Sequence, residues 1–179
     1  MKRKAIIISL LSSTLTSYER KIIKKEKPWG IILFKRNIIS AQQIIKLIKS
    51  IKEIAKDKKF PILIDEEGGR VTRLSNLMKN AISQKFFGDL YTANKNIGIT
   101  TYRNYTNSIC LSLKDLGINI NTVPVLDLKK NKTHKIIGDR SYSQKVSTIK
   151  ILGNVCTDIY KKNQLGTVIK HLPGHGSAK

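Results

Sequence analysis

Short apolar runs that end in charged residues alternate along this chain with longer stretches of helical periodicity. Five runs stand out: residues 5–11, 30–34, 60–64, 118–128 (with Pro124 inside it) and 167–169. Each is rich in Ile, Val or Leu, and each predicts a strand buried on both faces. Most give way at once to polar residues: Lys35-Arg36-Asn37, Asp65-Glu66-Glu67, Asp127 and Lys170-His171. Between the runs lie helical patterns. Ser40 followed by Gln43 has the spacing of a capping box, and Ile44, Ile48, Ile51 and Ala55 then recur at helical spacing. Tyr102, Tyr105, Ile109, Leu113 and Leu116 form a second pattern that stops at Gly117. Val146, Ile149, Leu152, Cys156, Ile159 and Tyr160 form a third that stops before Gly166. Glycine just past a helix end predicts a C-cap at both places. The tyrosines and Cys156 are expected to pack in the core. Residues 75–100 carry weaker periodicity and predict a long connection with one short helix, anchored by Phe86, Phe87, Leu90 and Tyr91.

Strand–helix alternation predicts βαβ units and a parallel sheet in an α/β fold. Two architectures satisfy it, the (β/α)8 barrel and the doubly wound open sheet. Both place function at the carboxyl ends of the strands, where the charged clusters fall here. No G-x-G-x-x-G or G-x-x-x-x-G-K-[ST] is present, so the nucleotide-binding fingerprints are missing.

Composition narrows the picture less than the charge suggests. The 179 residues fit one domain. Lys and Arg number 34 against 12 Asp and Glu, a net charge of +22, which by itself favours a polyanionic partner. However, 27 of the 34 are Lys, they spread along the whole chain, and 28 isoleucines accompany them. That pattern reads as a coding bias rather than a nucleic-acid surface, so a basic nucleic-acid-binding α/β protein stays the alternative and no nucleic-acid partner is expected. No apolar run reaches the length of a membrane span, and no membrane partner is expected. Met1-Lys2-Arg3-Lys4 ahead of residues 5–11 has the charge pattern of a signal peptide. The β-branched Ile6, Ile7 and Ile8 and the absence of an A-x-A-like site favour a buried first strand instead. Cys110 and Cys156 are too few for a disulfide scaffold or a four-cysteine zinc site.

Three stretches carry candidate chemistry. Residues 60–73 run from a buried strand into three successive carboxylates, two glycines, then Arg70 and Arg73. Glycines there let the backbone turn beside a ligand. Asp65 can accept two hydroxyl hydrogen bonds, as a sugar requires, and Arg73 can donate to oxygens of the same ligand. The competing reading is a salt-bridged turn at a strand end. Gly138-Asp139-Arg140-Ser141-Tyr142 opens the third helical pattern, with Arg140 directed either into a pocket or toward Asp139 on the surface. Lys170-His171-Leu172-Pro173-Gly174-His175-Gly176 ends the fifth run. Pro173 and Gly174 exclude a helix, so His171 and His175 are no i,i+4 metal pair, and no metal is expected. A sugar- or anion-binding loop is the more natural reading, against an ordinary loop with one buried histidine.

These stretches together resemble the bacterial β-N-acetylhexosaminidases of glycoside hydrolase family 3. The resemblance rests, in order, on Leu15-Thr16 with Glu19, Gly30-Ile-Ile-Leu-Phe-Lys-Arg-Asn37, Ile64-Asp-Glu-Glu-Gly-Gly-Arg-Val-Thr-Arg73, Ile120-Asn-Thr-Val-Pro-Val-Leu-Asp127, Gly138-Asp-Arg-Ser-Tyr142 and Lys170-His-Leu-Pro-Gly-His-Gly176. It covers nearly the whole chain and implies that residues 1–179 are the amino-terminal part of a (β/α)8 TIM-type barrel, with about the first five strands. It also implies cytoplasmic removal of terminal N-acetylglucosamine from muropeptides, in peptidoglycan recycling, with retention of configuration and no cofactor. By matching motifs, Asp65, Arg73, Arg140, Lys170 and His171 are the expected substrate-binding residues. The family's aspartate nucleophile and its His–Asp acid/base are expected beyond Lys179, so no catalytic residue is assigned here and the isolated chain is expected to be inactive. A second chain carrying the rest of the barrel is one expected partner, and an inactive sugar-binding remnant is the other outcome.

Overall fold

The computed structural model describes residues 2–129 and 135–177. Ala178 and Lys179, where the acid/base loop was expected to be cut short, lie outside the described residues. Among the described residues five strands form one parallel sheet: β1 (Lys4–Ser9), β2 (Pro28–Leu33), β3 (Ile62–Ile64), β4 (Ile120–Asn121) and β5 (Gly166–Thr167). Their spatial order is β1-β2-β3-β4-β5. A doubly wound sheet reverses direction at a switch point, whereas a barrel adds every new strand on the same side. The unreversed order therefore decides between the two architectures, and the sheet is an arc of a (β/α)8-type barrel.

Among the described residues five helices line the connections: α1 (Ser17–Glu26), α2 (Ala41–Ala55), α3 (Gln84–Ala93), α4 (Lys95–Leu116) and α5 (Val146–Lys162). The helix at 17–26 carries no strong apolar stripe and was not expected. Its signal is the capping box Thr16–Glu19: the Thr16 hydroxyl accepts from Glu19 N at 3.1 Å, and the Glu19 carboxylate accepts from Thr16 N at 2.8 Å. Glu19 also accepts from Leu11 N at 2.8 Å and so ties the β1–α1 turn to the helix start. At the start of α2 Ser40 caps Gln43 N, but Gln43 Oε1 reaches back to Ile39 N rather than to Ser40 N. Asn94 caps α4 two turns ahead of the periodicity that starts at Tyr102.

The core lies between the sheet and the helices, with Ile31, Leu33, Ile62 and Ile64 from the strands against Ile44, Ile51, Leu113 and Leu152. Tyr102, Cys110, Cys156 and Tyr160 are buried in it, as helical periodicity implied. Four expectations need correction. Among the described residues β1 is an edge strand paired only with β2, so Ile6 and Ile7 stay 45% and 47% exposed rather than buried. The last run is also an edge, with Ile169 half exposed. Phe86 is exposed on α3, while Phe87 and Tyr91 are the buried anchors. At the end of α5 the left-handed residue is Gln164 (φ 59°), and Gly166 already belongs to β5. Gly88 lets α3 sit directly on the segment that carries Tyr142: a Cβ there would lie 1.6 Å from Tyr142 O.

Candidate sugar-binding site at the strand ends

The site is assembled from the carboxyl ends of β3, β4 and β5. Asp65 follows β3, Thr122 follows β4, and Lys170 lies beyond β5, where a parallel bridge to Val125 sets its register. Leu126 N donates to Lys170 O at 2.7 Å, and Lys170 N donates to Pro124 O at 3.2 Å. The register brings the three side chains together. Asp65 Oδ1 accepts from the Thr122 hydroxyl and from Lys170 Nζ at 2.9 Å, and Asp65 Oδ2 accepts from Arg73 Nη2 at 3.3 Å. Burial works to raise the Asp65 carboxyl. The Thr122 hydroxyl, the Lys170 ammonium and Arg73 outweigh it and hold the group below its ordinary range. The side chain keeps 19% exposure, and Oδ2, with one long contact, is its less occupied oxygen.

Arg73 reaches Asp65 because the loop after β3 folds back. Gly68 and Gly69 take φ 90° and 60°, in the left-handed region that favours glycine. The loop closes on Glu66, which is 2% exposed. Its carboxylate accepts from Thr72 Oγ1 at 2.7 Å, Arg73 N at 2.8 Å, Leu74 N at 3.0 Å and Asn80 Nδ2 at 2.7 Å. The Arg73 guanidinium lies over the Phe34 ring, 5.6 Å from its centroid, so the end of β2 also helps place it.

Arg140 sits in a short 3-10 turn (Gly138–Arg140) between β4 and α5. It grips Glu67 with Nε at 2.8 Å and Nη2 at 2.9 Å and does not pair with Asp139, which pairs with Arg70 instead. Burial works to lower the basicity of Arg140, and the Glu67 carboxylate more than offsets it. Lys170 Nζ also contacts Glu67 at 2.6 Å. His171 Nδ1 lies 2.7 Å from Asp127 Oδ2. An ionised carboxylate only accepts, so Nδ1 donates to Asp127, and Nε2 lies 3.4 Å from Arg140 Nη2. Burial works to raise the Asp127 carboxyl. Hydrogen bonds from the His171 ring and from Gly176 and His171 backbone N–H groups overcome it, so the group stays below its ordinary range.

The five residues expected to bind substrate, Asp65, Arg73, Arg140, Lys170 and His171, thus form one continuous network. Asp127, Thr122 and Glu67 join it. All three lie inside the quoted motifs, but their roles could not be told apart by spacing. Of the salt-bridged-turn reading, the Asp65–Arg73 ion pair is present within residues 65–73, whereas Glu66 is held by uncharged donors and Glu67 pairs with Arg140 and Lys170 from distant segments. His175 is exposed, with its ring centroid 5.2 Å from that of His171. A larger cleft, of about 560 Å³, lies away from the strand ends, between the C-terminal ends of α2 and α4. Lysines on its rim complement those helix ends, as Lys52 does by donating to Gly117 O at 3.0 Å.

Among the described residues, no helix is long and apolar enough to cross a membrane. The sequence model described as "Glycosyl hydrolase family 3 N terminal domain" matches residues 4–179. A β-hexosaminidase from Xanthomonas campestris pv. campestris (strain B100) is 26% identical over 96% of this chain and 51% of its own length. β-Hexosaminidase A of Pseudoalteromonas piscicida is 30% identical over 92% of this chain and 28% of its own. The crystal structure of NagZ from Neisseria gonorrhoeae in complex with N-trifluoroacetyl-D-glucosamine superposes with a TM-score of 0.90 at 25% identity, covering 98% of this chain and 52% of that one. The chain spans about half the length of the first relative and less of the second. Sequence match, strand order and superposition agree, and the chain belongs to glycosyl hydrolase family 3, over that family's N-terminal domain.

Proposed function

We propose that this chain supplies the sugar-gripping part of a β-N-acetylhexosaminidase that removes terminal N-acetylglucosamine from muropeptides with retention of configuration, in cytoplasmic peptidoglycan recycling. The observation that carries the reading is Asp65. Its Oδ1 is anchored by Thr122 and Lys170, and its carboxyl is held ionised. Its less occupied Oδ2 stands beside Arg73. An ionised, partly exposed carboxylate flanked by fixed cations accepts vicinal sugar hydroxyls and holds one register. Arg140, Lys170 and His171 complete the grip. The likeness to a protein solved with N-trifluoroacetyl-D-glucosamine supports the ligand class. Bond cleavage needs an acid/base and a nucleophile. The reading assigns both to chain beyond residue 179 or to a second chain that completes the barrel. The site's cations each face a carboxylate or an imidazole, which leaves this face poorly suited to nucleic-acid phosphates.

Calorimetric titration of the chain with N-acetylglucosamine tests the grip. Binding is expected for the wild type and its loss for Asp65→Ala, and equal affinities for the two sink the assignment. The chain alone is expected to show no turnover of 4-nitrophenyl N-acetyl-β-D-glucosaminide. Turnover that survives rigorous purification places the catalytic groups within these 179 residues, against the reading.

A further inference from the structure

Glu67 stands between two of the site's cations, Arg140 and Lys170. It is 1% exposed. Oε2 accepts from Arg140 Nε at 2.8 Å, and Oε1 accepts from Arg140 Nη2 at 2.9 Å and contacts Lys170 Nζ at 2.6 Å. A two-pronged guanidinium–carboxylate contact fixes the plane of the guanidinium as well as its place. Lys170 donates to Asp65 and Thr122 and forms an ion pair with Glu67, so its ammonium is held by three partners. Both cations are themselves enclosed, with Arg140 10% and Lys170 13% exposed, and an enclosed charge without a partner is costly.

The charges also sum in a definite way. Arg73, Arg140 and Lys170 equal Asp65, Glu67 and Asp127 in number: Arg73 and Lys170 pair with Asp65, Arg140 and Lys170 pair with Glu67, and Asp127 faces His171. Glu66 adds a further negative charge behind the loop, held by uncharged donors. Among the described residues of this network, no Arg or Lys charge is left over for an anionic ligand.

We propose that Glu67 is a positioning and selectivity residue: it holds Lys170 and Arg140 in place for an uncharged amino sugar and cancels the charge that would otherwise draw an anion into the site. The inference deepens the sugar-binding reading and rests on it. Removing only the charge of Glu67 leaves two enclosed cations under-compensated a few ångströms from the ligand, where one unit charge changes anion affinity by about tenfold or more.

The test uses the 179-residue chain and its Glu67→Gln and Glu67→Asp variants. Glu67→Gln is expected to bind N-acetylglucosamine at least about tenfold more weakly. Inorganic phosphate, at ionic strength held constant with sodium chloride, is expected to compete for the site in Glu67→Gln but not in the wild type. Glu67→Asp keeps the charge and shortens the reach, so it is expected to weaken sugar binding without admitting phosphate. A merely structural role would lower the melting temperature and leave the phosphate response untouched. Sugar affinity within twofold of wild type, with no phosphate competition in Glu67→Gln, overturns the proposal. Should Glu67→Gln not fold, the wild type still decides. The Arg140 Nε–H resonance must then exchange with solvent far more slowly than that of Arg103 on the exposed face of α4, and equal exchange overturns the proposal. Failure of the wild type to bind sugar overturns the sugar-binding reading instead, and direct phosphate titration of Glu67→Gln still judges Glu67.

Discussion

Glu66→Ala separates two neighbouring carboxylates that look alike in sequence. Four donors converge on Glu66: the Thr72 hydroxyl, the Arg73 and Leu74 N–H groups and the Asn80 amide, at 2.7–3.0 Å. The residue is 2% exposed, so water reaches few of these groups once the carboxylate is gone. An unsatisfied buried donor costs about 1–3 kcal/mol. Partial relaxation of the loop keeps four such costs from adding in full, which leaves about 3–5 kcal/mol. At about 2–4 °C per kcal/mol for a chain of this size, the melting temperature should fall by about 10 °C. Asp65→Ala removes an anchor from Lys170 but leaves that ammonium two other partners, Thr122 and Glu67, and the site stays partly open to solvent. Its cost should stay below about 2 kcal/mol. Urea denaturation followed by far-UV circular dichroism measures both. A loss under about 1 kcal/mol for Glu66→Ala, or a loss as large for Asp65→Ala, refutes the assignment of Glu66 to the loop and Asp65 to the ligand.

Two further outcomes follow from the same geometry. Asp65 and Asp127 have carboxyls held below their ordinary range in the folded chain, so as pH falls the unfolded state takes up protons first. Their contribution is therefore complete above about pH 4, near the unfolded value of about 3.9, and is lost as pH drops through the folded values below it. Melting temperatures from pH 6 to pH 3 should fall less steeply for Asp65→Asn than for wild type, and parallel profiles refute the sign. Gly88→Ala puts a methyl group 1.6 Å from Tyr142 O and forces α3 off the segment that carries Arg140. A loss of about 3 kcal/mol or more is expected in the same urea assay, and a near-neutral result refutes the packing.

The fold was legible wherever one force dominated. β2, β3 and β4 read as β-branched runs because they are central strands, and the polar residues after them mark the strand ends where the site lies. β1 was legible as a strand but not in its burial, because exposure at an edge depends on what pairs beside it and not on the run itself. Residues 17–26 hid from periodicity because Lys21, Lys24 and Lys25 surround Ile22 and Ile23, and only the Thr16–Glu19 cap announced the helix. Within the site, the residues with fixed chemistry were legible through their motifs. The pairings of Arg70 with Asp139 and of Arg140 with Glu67 were not, since each joins segments about 70 residues apart.

The run Asp65-Glu66-Glu67 shows why that limit falls where it does. Three carboxylates in a row share a composition and a neighbourhood, and in an extended strand their side chains would alternate between two faces. The strand instead ends at Ile64, and a chain reversal at Gly68 and Gly69 follows within four residues. The turn sends one carboxylate to each of three environments: Asp65 toward solvent and the strand ends, Glu66 back into its own loop, Glu67 between Arg140 and Lys170. Each environment then sets the residue's chemistry, as ligand acceptor, loop clamp or counter-ion. Residue type alone would have allowed any of the three carboxylates to take any of the three roles. The two glycines, through their backbone conformation, make the assignment, so a substitution at Gly68 or Gly69 acts on all three roles at once.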